Sequence, residues 1–355
     1  METTLLETQS PADLAAAVEA AVSRLAAGDV VALPTETVYG LAADALRPEA
    51  TAKIYEAKQR PFFDPLIVHL PNHAWLERVA SVPRESRELV DALIARFWPG
   101  PLTLVLPRQE IVPDLVTAGL PTVAVRMSAH PVFALISRRF GKPLAAPSAN
   151  RFGRISPTAA SHAYSELAGR IPLIIDGGPT EHGIESTIVA VHGESMKLLR
   201  AGPVTPRHLA ETQMHLRNTS KAHSNETEAL EFLTHAEDSL TPKPLAPGQL
   251  KSHYAPRTPL ALTDDATAWT WHPPEARYGL LCLSPKRGAD YARFAHVEWL
   301  SVPGDMREAA ATLFAKLRRL DEANLDGIIA ERIPEEGLGI AIMDRLRKAS
   351  HRDLI

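Results

Sequence analysis

Short apolar runs alternate with helical patterns along this 355-residue chain, and the alternation limits the possible folds more than any other feature. Six of the runs predict strands, at 29–34, 65–70, 102–107, 122–127, 173–177 and 186–192. Four patterns between them predict helices, at 48–58, 84–96, 131–140 and 157–169. Ser10, Pro11 and Asp13 predict the start of an earlier helix that ends at Gly28. The alternation indicates an α/β domain with a mixed sheet.

A polar stretch that begins near residue 211 and ends in the proline-rich segment TPKPLAPGQ interrupts the alternation. Beyond Pro259, PLALT, YGLLCLS, VEWLSV and DGIIAE predict strands, 306–322 predicts a helix, and another helix closes the chain. Chains of this length usually divide into two domains, because a single hydrophobic core stops growing. We predict a first domain over 1–210, a linker or lid over 211–256 and a smaller α/β domain over 257–355.

Composition excludes several classes of protein. The net charge of -4 supplies no overall positive field for nucleic acid or an anionic membrane. The single cysteine, Cys282, excludes an intramolecular disulfide and a Cys-rich zinc site, and it fits a reducing compartment. No apolar run approaches the roughly 20 residues of a membrane span, and the acidic start is unlike a secretory signal. We therefore expect a cytoplasmic protein without membrane contact.

Polar side chains cluster where predicted strands meet loops, which is where open α/β sheets bind ligands. The segment PTETVYGL at 34–41 places hydroxyls and a carboxylate after a strand, although a helix cap and turn would use the same residues. Lys58 and Arg60 would project the same way in an extended segment, and two convergent cations suit a polyphosphate. On a surface loop both would simply be solvated.

Two further clusters lie closer to the middle of the chain. Thr122 and Arg126 share one face of a predicted strand, where an arginine needs a carboxylate or phosphate partner or forms a structural salt bridge. Ser148 and Asn150 precede a predicted helix start, and a hydroxyl, an amide and a helix N-terminus together suit a phosphate or ribose. An Asx turn would explain Asn150 equally well. The common nucleotide-binding motifs are absent, and the 14 histidines show no metal-site spacing.

Seven segments occur in the order found in the YrdC-type threonylcarbamoyl-AMP synthase family, which the chain resembles over roughly 20–210. They are PTETVYGLAADA, K-x-R-P followed by PLIVH, FWPGPLTLVL, TVAVRM, APSAN, ESTIV and LLRAGP. The segments HYAP and GLGIAIMDRLRKAS resemble the linker and the extra C-terminal domain of the longer members. The resemblance implies a twisted mixed α/β sheet with helices and a second, smaller Rossmann-like α/β domain.

The resemblance also implies a reaction. L-threonine, bicarbonate and ATP, with Mg²⁺ as the cofactor of ATP, would form threonylcarbamoyl-adenylate and pyrophosphate for the modification of tRNA. Downstream tRNA threonylcarbamoyl transferase proteins are the implied partners, and direct binding of tRNA stays open. One alternative is an RNA-binding protein of tRNA or rRNA maturation without adenylate synthesis. Another is a carbamoyl transferase of the hydrogenase-maturation type, whose Cys-rich zinc motifs a chain with one cysteine cannot contain.

The residues that match the family's motifs carry implied roles. Threonine would be bound by Thr37, His69, Arg126, Ser148 and Ser186. ATP would be bound by Arg60, Asp64, Thr122, Asn150, Ser156, Thr158, Arg200 and Tyr254. Lys58 and Arg60 are the implied catalytic residues, and no protein side chain is assigned as a metal ligand or as the general base. Asp64 stands where an asparagine is common, and an acid there would repel ATP unless it helped to hold a metal or hydrogen-bonded the ribose.

Overall fold

The computed structural model describes residues 1–219, 231–232, 244–270, 275–288 and 290–351. Most of the polar part of the predicted linker, 220–230 and 233–243, lies outside the described residues. Residues 211–219 of the predicted linker are helical, because one helix runs from Pro206 to Thr219. The domain boundaries proposed from the sequence stay a prediction.

The first part of the chain forms one large mixed sheet. Its strands are β1 Thr4–Glu7, β2 Val31–Leu33, β3 Gly40–Asp44, β4 Ile67–His69, β5 Leu102–Pro107, β6 Thr122–Arg126, β7 Leu144–Ala145, β8 Leu173–Asp176, β9 Thr187–His192, β10 Ser195–Arg200 and β11 Glu231–Phe232. They lie in the order β1-β8-β2-β3-β7-β4-β6-β5-β9-β10-β11. Each of the six strands predicted from the sequence is present, at or inside its predicted bounds.

Helices flank this sheet. They are α1 Pro11–Ala26, α2 Pro48–Lys58, α3 Leu76–Val79, α4 Arg87–Phe97, α5 Asp114–Thr117, α6 Pro131–Phe140, α7 Ala160–Leu167 and α8 Pro206–Thr219, with 3₁₀ turns at His73–Trp75 and Arg84–Ser86. Helix α1 begins as predicted, because the Ser10 hydroxyl accepts a hydrogen bond from the Asp13 amide and the Asp13 carboxylate accepts one from the Ser10 amide. None of the helices among the described residues is long and apolar enough for a membrane span.

A second, smaller sheet follows. Its four parallel strands are β12 Leu260–Thr263, β13 Tyr278–Cys282, β14 His296–Trp299 and β15 Gly327–Glu331, in the order β12-β15-β13-β14. A 3₁₀ turn, Ala266–Ala268, and the helices α9 Met306–Glu322 and α10 Leu338–Ser350 complete this part. The mixed sheet with helices and the second parallel α/β unit confirm the fold class predicted from the sequence.

The two parts share one hydrophobic cluster. Val38, Ile155 and Ile184 of the first part are buried in the same cluster as Phe314 of α9 and Tyr254 of the connecting segment. Burial of apolar side chains contributes about 25 cal/mol per Å², so a continuous cluster holds both parts together. The second sheet and its helices are therefore docked against the loops of the first sheet.

Candidate active site

A cavity with an empty volume of about 530 Å³, partly open to solvent, lies between the loops of the large sheet and the segment 247–254, here called the strap. Its walls come from the turn after β2, the ends of β4, β6 and β10, the loop after β7 and the residues before β9. It is lined by Thr35, Thr37, Val38, Gly40, Arg60, Ile67, His69, Arg126, Ala146, Pro147, Ser148, Glu185, Ser186, Arg200, Pro247, Gly248, His253 and Tyr254.

The turn between β2 and β3 is held by one buried hydroxyl. Thr35 Oγ1 donates to the Val38 carbonyl at 2.6 Å and accepts from the backbone amides of Thr37 and Val38 at 3.1 and 3.2 Å. This hydrogen-bonded turn is the ST-turn chemistry that a threonine at the end of a strand provides. It fixes Thr37 so that the side chain lines the cavity.

Arg126 ends strand β6 opposite His69 of β4, because the two strands pair in parallel with these residues in register. Its guanidinium forms a buried ion pair with Glu36 and donates to Thr37 Oγ1 at 3.2 Å. Ser128 donates to the other Glu36 oxygen. Burial raises the pKa of Glu36, but the Arg126 guanidinium and the Ser128 hydroxyl outweigh it and hold that pKa below its usual range.

The sequence suggested either a ligand contact or a structural salt bridge for Arg126, and the structure is compatible with both. Arg126 forms a structural salt bridge with Glu36, and it also lines the cavity. Among the described residues its Nε has no hydrogen-bond partner, although the atom is buried. A buried donor of this kind is costly unless something accepts from it, so the geometry suits an anionic ligand.

His69 presents a neutral imidazole to the cavity. Burial, with the adjacent Arg126 guanidinium, holds the pKa of His69 well below its usual range. Its Nδ1 is buried and has no hydrogen-bond partner among the described residues. At neutral pH the ring therefore offers a ligand an uncharged hydrogen-bonding group.

Lys58 is the last residue of α2, so the expectation that it lies with Arg60 in an extended segment is wrong. The helix ends because Gln59 adopts the left-handed conformation, with φ of 53°. Lys58 Nζ donates to the carbonyls of Ser148 and Asn150, both at 2.5 Å. Burial, together with Arg60, holds the pKa of Lys58 well below its usual range. Lys58 thus fixes the loop after β7 without lining the cavity itself.

Arg60 lines the cavity and is anchored by the residues that follow it. Its Nη2 lies 2.8 Å from Asp64 Oδ2, and its guanidinium donates to the carbonyls of Asp64 and Pro65. Burial raises the pKa of the fully buried Asp64, and the Arg60, Lys58 and Arg200 cations oppose that shift. The acid that replaces the common asparagine is therefore paired with Arg60, which offsets its charge.

Arg200 is a buried cation at the end of β10. It donates to the backbone oxygen and the hydroxyl of Ser186, both at 3.0 Å, and to the Pro247 carbonyl at 3.3 Å. All these acceptors are neutral, and no ion pair of Arg200 occurs within the described part of the chain. Burial lowers the pKa of Arg200, as it does for any cation removed from water. A buried cation with neutral partners favours an anionic ligand.

The strap closes one side of the cavity. Tyr254 is buried with a left-handed φ of 62°, and its ring lies 4.1 Å from that of His253 and 5.5 Å from that of Phe314 in α9. Lys348 of α10 donates to the Gly248 carbonyl at 2.7 Å, and its own carbonyl accepts from the His253 amide. The second α/β part therefore holds the strap in place.

Comparisons with known proteins agree with this arrangement. Residues 23–202 match the Sua5, YciO and YrdC family model, described as "Telomere recombination", and residues 212–351 match the model of the threonylcarbamoyl-AMP synthase C-terminal domain. The threonylcarbamoyl-AMP synthase of Bacillus subtilis is 40% identical over 93% of this chain and 92% of that protein. The chain belongs to the threonylcarbamoyl-AMP synthase family. It is therefore an enzyme of the nucleotidyltransferase class.

Other members of the threonylcarbamoyl-AMP synthase family cover the chain to a similar extent. The protein of Pyrococcus abyssi is 38% identical over 91% of both chains, and that of Schizosaccharomyces pombe is 35% identical over 96% of this chain and 90% of its own. The crystal structure of P. abyssi Sua5 complexed with L-threonine aligns with a TM-score of 0.81 at 35% identity, covering 99% of this chain and 98% of that one.

The cavity brings together eight of the residues that resemblance to threonylcarbamoyl-AMP synthases implied. All the side chains assigned to threonine line it, together with three assigned to ATP: Thr37, His69, Arg126, Ser148, Ser186, Arg60, Arg200 and Tyr254. These residues come from segments up to 217 positions apart in the sequence, between Thr37 and Tyr254. The fold therefore collects the motifs at one place.

Six other implied residues do not line the cavity. Lys58 and Asp64 support the loops, as described above. Asn150 donates to the carbonyls of Arg151 and Arg154, while its buried Oδ1 has no partner in the described chain. The Ser156 hydroxyl donates to Glu185 at 2.5 Å, and the Thr158 amide donates to His162 Nδ1 at 3.2 Å. Thr122 starts strand β6, four residues and about 13 Å from Arg126.

Several residues that line the cavity or hold its lining residues in place were assigned no role from the sequence. Glu36 and Glu185 lie inside the motifs PTET and EST, where a carboxylate is equally typical of a turn or a helix cap. Only the structure shows that they form ion pairs with Arg126 and Arg345. Ser128 lies just after a motif strand and gives no signal of its own. His253 and Gly248 belong to the segment that resembles the linker of longer threonylcarbamoyl-AMP synthases, but only Tyr254 was singled out there.

Proposed function

We propose that this cavity condenses L-threonine, bicarbonate and ATP to threonylcarbamoyl-adenylate and pyrophosphate, the activity for which the family is named. One observation carries the proposal: three guanidiniums, those of Arg60, Arg126 and Arg200, line the same cavity although each side chain is more than nine-tenths buried. Asp64 and Glu36 balance two of these charges, but Arg200 has only neutral acceptors and Arg126 Nε has no acceptor among the described residues. Buried donors and charge left in this state are costly, and they are satisfied when anionic substrates bind.

Threonine binds at the ends of β4 and β6. The unpartnered Nε of Arg126 suits the threonine carboxylate, because an arginine donates to a carboxylate in a fixed geometry. Thr37, Ser148 and Ser186 supply hydroxyls, and His69 supplies a neutral imidazole. The L-threonine complex of the P. abyssi protein, at 35% identity over nearly the whole chain, supports this assignment.

ATP binds beside threonine, with its phosphates between Arg60 and Arg200. Tyr254 contributes from the strap, and Asn150, Ser156 and Thr158 contribute from the loop that follows β7. Asn150 Oδ1 is buried without a partner among the described residues, and it is an acceptor suited to a ribose hydroxyl. Asp64 holds Arg60 in place, and Thr122 contributes from the start of β6.

Charge neutralisation and alignment supply the catalysis. The neutral threonine amine adds to the carbon dioxide of bicarbonate, and the amine proton leaves with the bicarbonate hydroxide as water. A carbamate oxygen then attacks the α-phosphorus of ATP, and the bond to the β-phosphate breaks so that pyrophosphate leaves. Both reactants are anions, so the arginines lower the barrier by offsetting their repulsion. Lys58 holds the Ser148 and Asn150 carbonyls in place, which aligns the threonine and ATP groups that this loop contacts.

The described residues contain no cluster of three or more His, Cys, Asp or Glu side chains that would hold a metal ion. Glu185, which lines the cavity, is ion-paired with Arg345, and Asp64 and Glu36 are ion-paired with Arg60 and Arg126. These residues do not fit a protein-held Mg²⁺ site. We propose instead that Mg²⁺ arrives with ATP, bound to its phosphates.

The strap excludes water from the carbamate, which decomposes in water. Its contacts with Phe314 and Lys348 make the second α/β part responsible for its closed position. Full activity in a chain that ends before residue 211 would contradict this role. The adenylate would then pass to downstream proteins that transfer the threonylcarbamoyl group to tRNA.

The test uses the purified protein with ATP, magnesium and bicarbonate, together with threonine, serine or no amino acid. We expect pyrophosphate, and an adenylate with the threonylcarbamoyl mass, only when threonine and bicarbonate are both present. No turnover with any amino acid would contradict the proposal. Salt-dependent binding of tRNA without nucleotide would then favour the RNA-binding alternative.

A further inference from the structure

One arginine of the second α/β part reaches into the wall of the cavity. Arg345 of α10 is fully buried, and its Nε donates to Glu185 Oε2 at 3.0 Å. Its Nη1 donates to the Ala201 carbonyl at 2.8 Å and to its neighbour Asp344 at 2.7 Å. The guanidinium carbon also lies 5.4 Å from the centre of the Tyr254 ring, within the range of a cation–π contact.

These contacts link three separate segments of the site. Glu185 lines the cavity and directly precedes Ser186, and its second oxygen accepts from Ser156. Ala201 directly follows Arg200, whose guanidinium in turn holds Ser186. Tyr254 belongs to the strap. Arg345, which does not line the cavity, therefore contacts Glu185, Ala201 and Tyr254. The segments 185–186, 200–201 and 254 are here called the Arg200 wall.

The docking of the two α/β parts does not by itself require an arginine at position 345. The shared hydrophobic cluster already joins the two parts through Phe314, Leu317 and Leu346, and a buried ion pair stabilises a fold little better than apolar side chains of the same size. What a guanidinium adds is direction, because its planar donors fix the angles at which a carboxylate and a carbonyl approach.

We propose that Arg345 is a positioning residue of the active site, which fixes Glu185 and Ser186, Arg200 and Ala201, and Tyr254 relative to one another. The proposal rests on the proposed function. It assigns the second α/β part a role in catalysis, since the Arg200 wall takes its working geometry only when α10 is docked. Arg345 does not line the cavity, so it acts on the substrates only through these groups.

The chain offers a matched control at the same interface. Arg318 of α9 is also buried and also crosses between the two parts, where it binds Glu166 at 3.3 Å and the Ile155 carbonyl. Glu166 and Ile155 do not line the cavity. Arg318→Met therefore removes a buried interdomain guanidinium that, in the described part of the chain, is hydrogen-bonded to neither Glu185 nor Ala201.

The experiment compares wild type, Arg345→Met, Arg345→Lys and Arg318→Met in threonine-dependent pyrophosphate release, each with its thermal unfolding midpoint. Misplacement of catalytic groups by about 1 Å costs about 100-fold in rate, so we expect Arg345→Met to lose about that factor in kcat/KM for ATP. Arg318→Met should lose less than about threefold at a similar fall in midpoint. Arg345→Lys keeps the positive charge but loses the planar arrangement of donors, so its rate should lie between those of Arg345→Met and wild type.

A double-mutant cycle with Glu185→Gln separates positioning from general loss of stability. If Arg345 acts through Glu185, the losses of the two variants are not additive. Equal rates for Arg345→Met and Arg318→Met at equal midpoints would overturn the proposal, as would additive losses. If Arg345→Met does not fold, Arg345→Lys and Glu185→Gln carry the same comparison. Failure of the proposed function is distinct, because wild type itself would then release no pyrophosphate.

Discussion

Gly183 lies where the loop before β9 meets α9, and its replacement by alanine tests the docking of the two α/β parts. The residue has a left-handed φ of 67°, and an added Cβ would overlap the backbone carbonyl of Ala311 in α9. A left-handed alanine costs about 1 to 2 kcal/mol, and overpacking costs about 1 to 3 kcal/mol more. Gly183→Ala should therefore lower the free energy of unfolding by about 2 to 5 kcal/mol.

Gly193 provides the matched control, since its φ of 58° is also left-handed but nothing lies within 4 Å of its added Cβ. Gly193→Ala should cost only the conformational part, about 1 to 2 kcal/mol. Urea denaturation followed by intrinsic fluorescence measures both variants. Gly183→Ala should also slow pyrophosphate release, because the strained loop leads directly into Glu185. Equal destabilisation of the two variants, to within about 0.5 kcal/mol, would refute the steric reasoning.

The remaining predictions concern the cavity itself. Glu36→Gln removes the charged partner of Arg126, so the KM for threonine should rise about tenfold in steady-state assays, and an unchanged KM would separate Glu36 from threonine binding. Tyr254→Phe keeps the ring contacts and removes a hydroxyl that has no partner among the described residues. We expect an unchanged unfolding midpoint and about three- to tenfold weaker ATP binding by calorimetry. Unchanged ATP binding would exclude a contact between ATP and the hydroxyl. Burial holds the pKa of His69 and His253 well below that of a free histidine, so the unfolded chain binds protons first as pH falls. The free energy of unfolding should therefore decrease between about pH 7 and pH 5. If it decreased as steeply with falling pH in His253→Gln as in wild type, the prediction for His253 would be wrong.

The sequence predicted the strands around the cavity well because those strands are buried and rich in β-branched or leucine residues. β5 and β6 were found with bounds within one residue. Two strands at the centre of the sheet were missed because they are short or lack such side chains: β3 is GLAAD, and β7 has only two residues. Their place in the sheet comes from pairing with distant neighbours, such as Ala43 with Ala145, which local sequence does not encode.

The candidate site was predictable to the extent that its residues belong to ordered motifs. Thr37, His69 and Arg126 lie in such motifs, and the fold brings them to one cavity. The partners that set their charge states were not predictable, because a contact such as Arg126 with Glu36 joins residues 90 positions apart. Arg345 stands in the amphipathic segment MDRLRK, where an arginine buried at an interface looks the same as one in solvent.

Strand β1 lies at one edge of the large sheet and pairs in parallel with the apolar strand β8. The side chains of Thr3 and Thr8 also donate to backbone carbonyls at either end of this pair. Without β1, the row of amides and carbonyls on β8 would be free to pair with another chain, whereas β1 itself is short and carries Glu7 at its end. The first eight residues contain no site residue, yet they protect the molecule from edge-to-edge association.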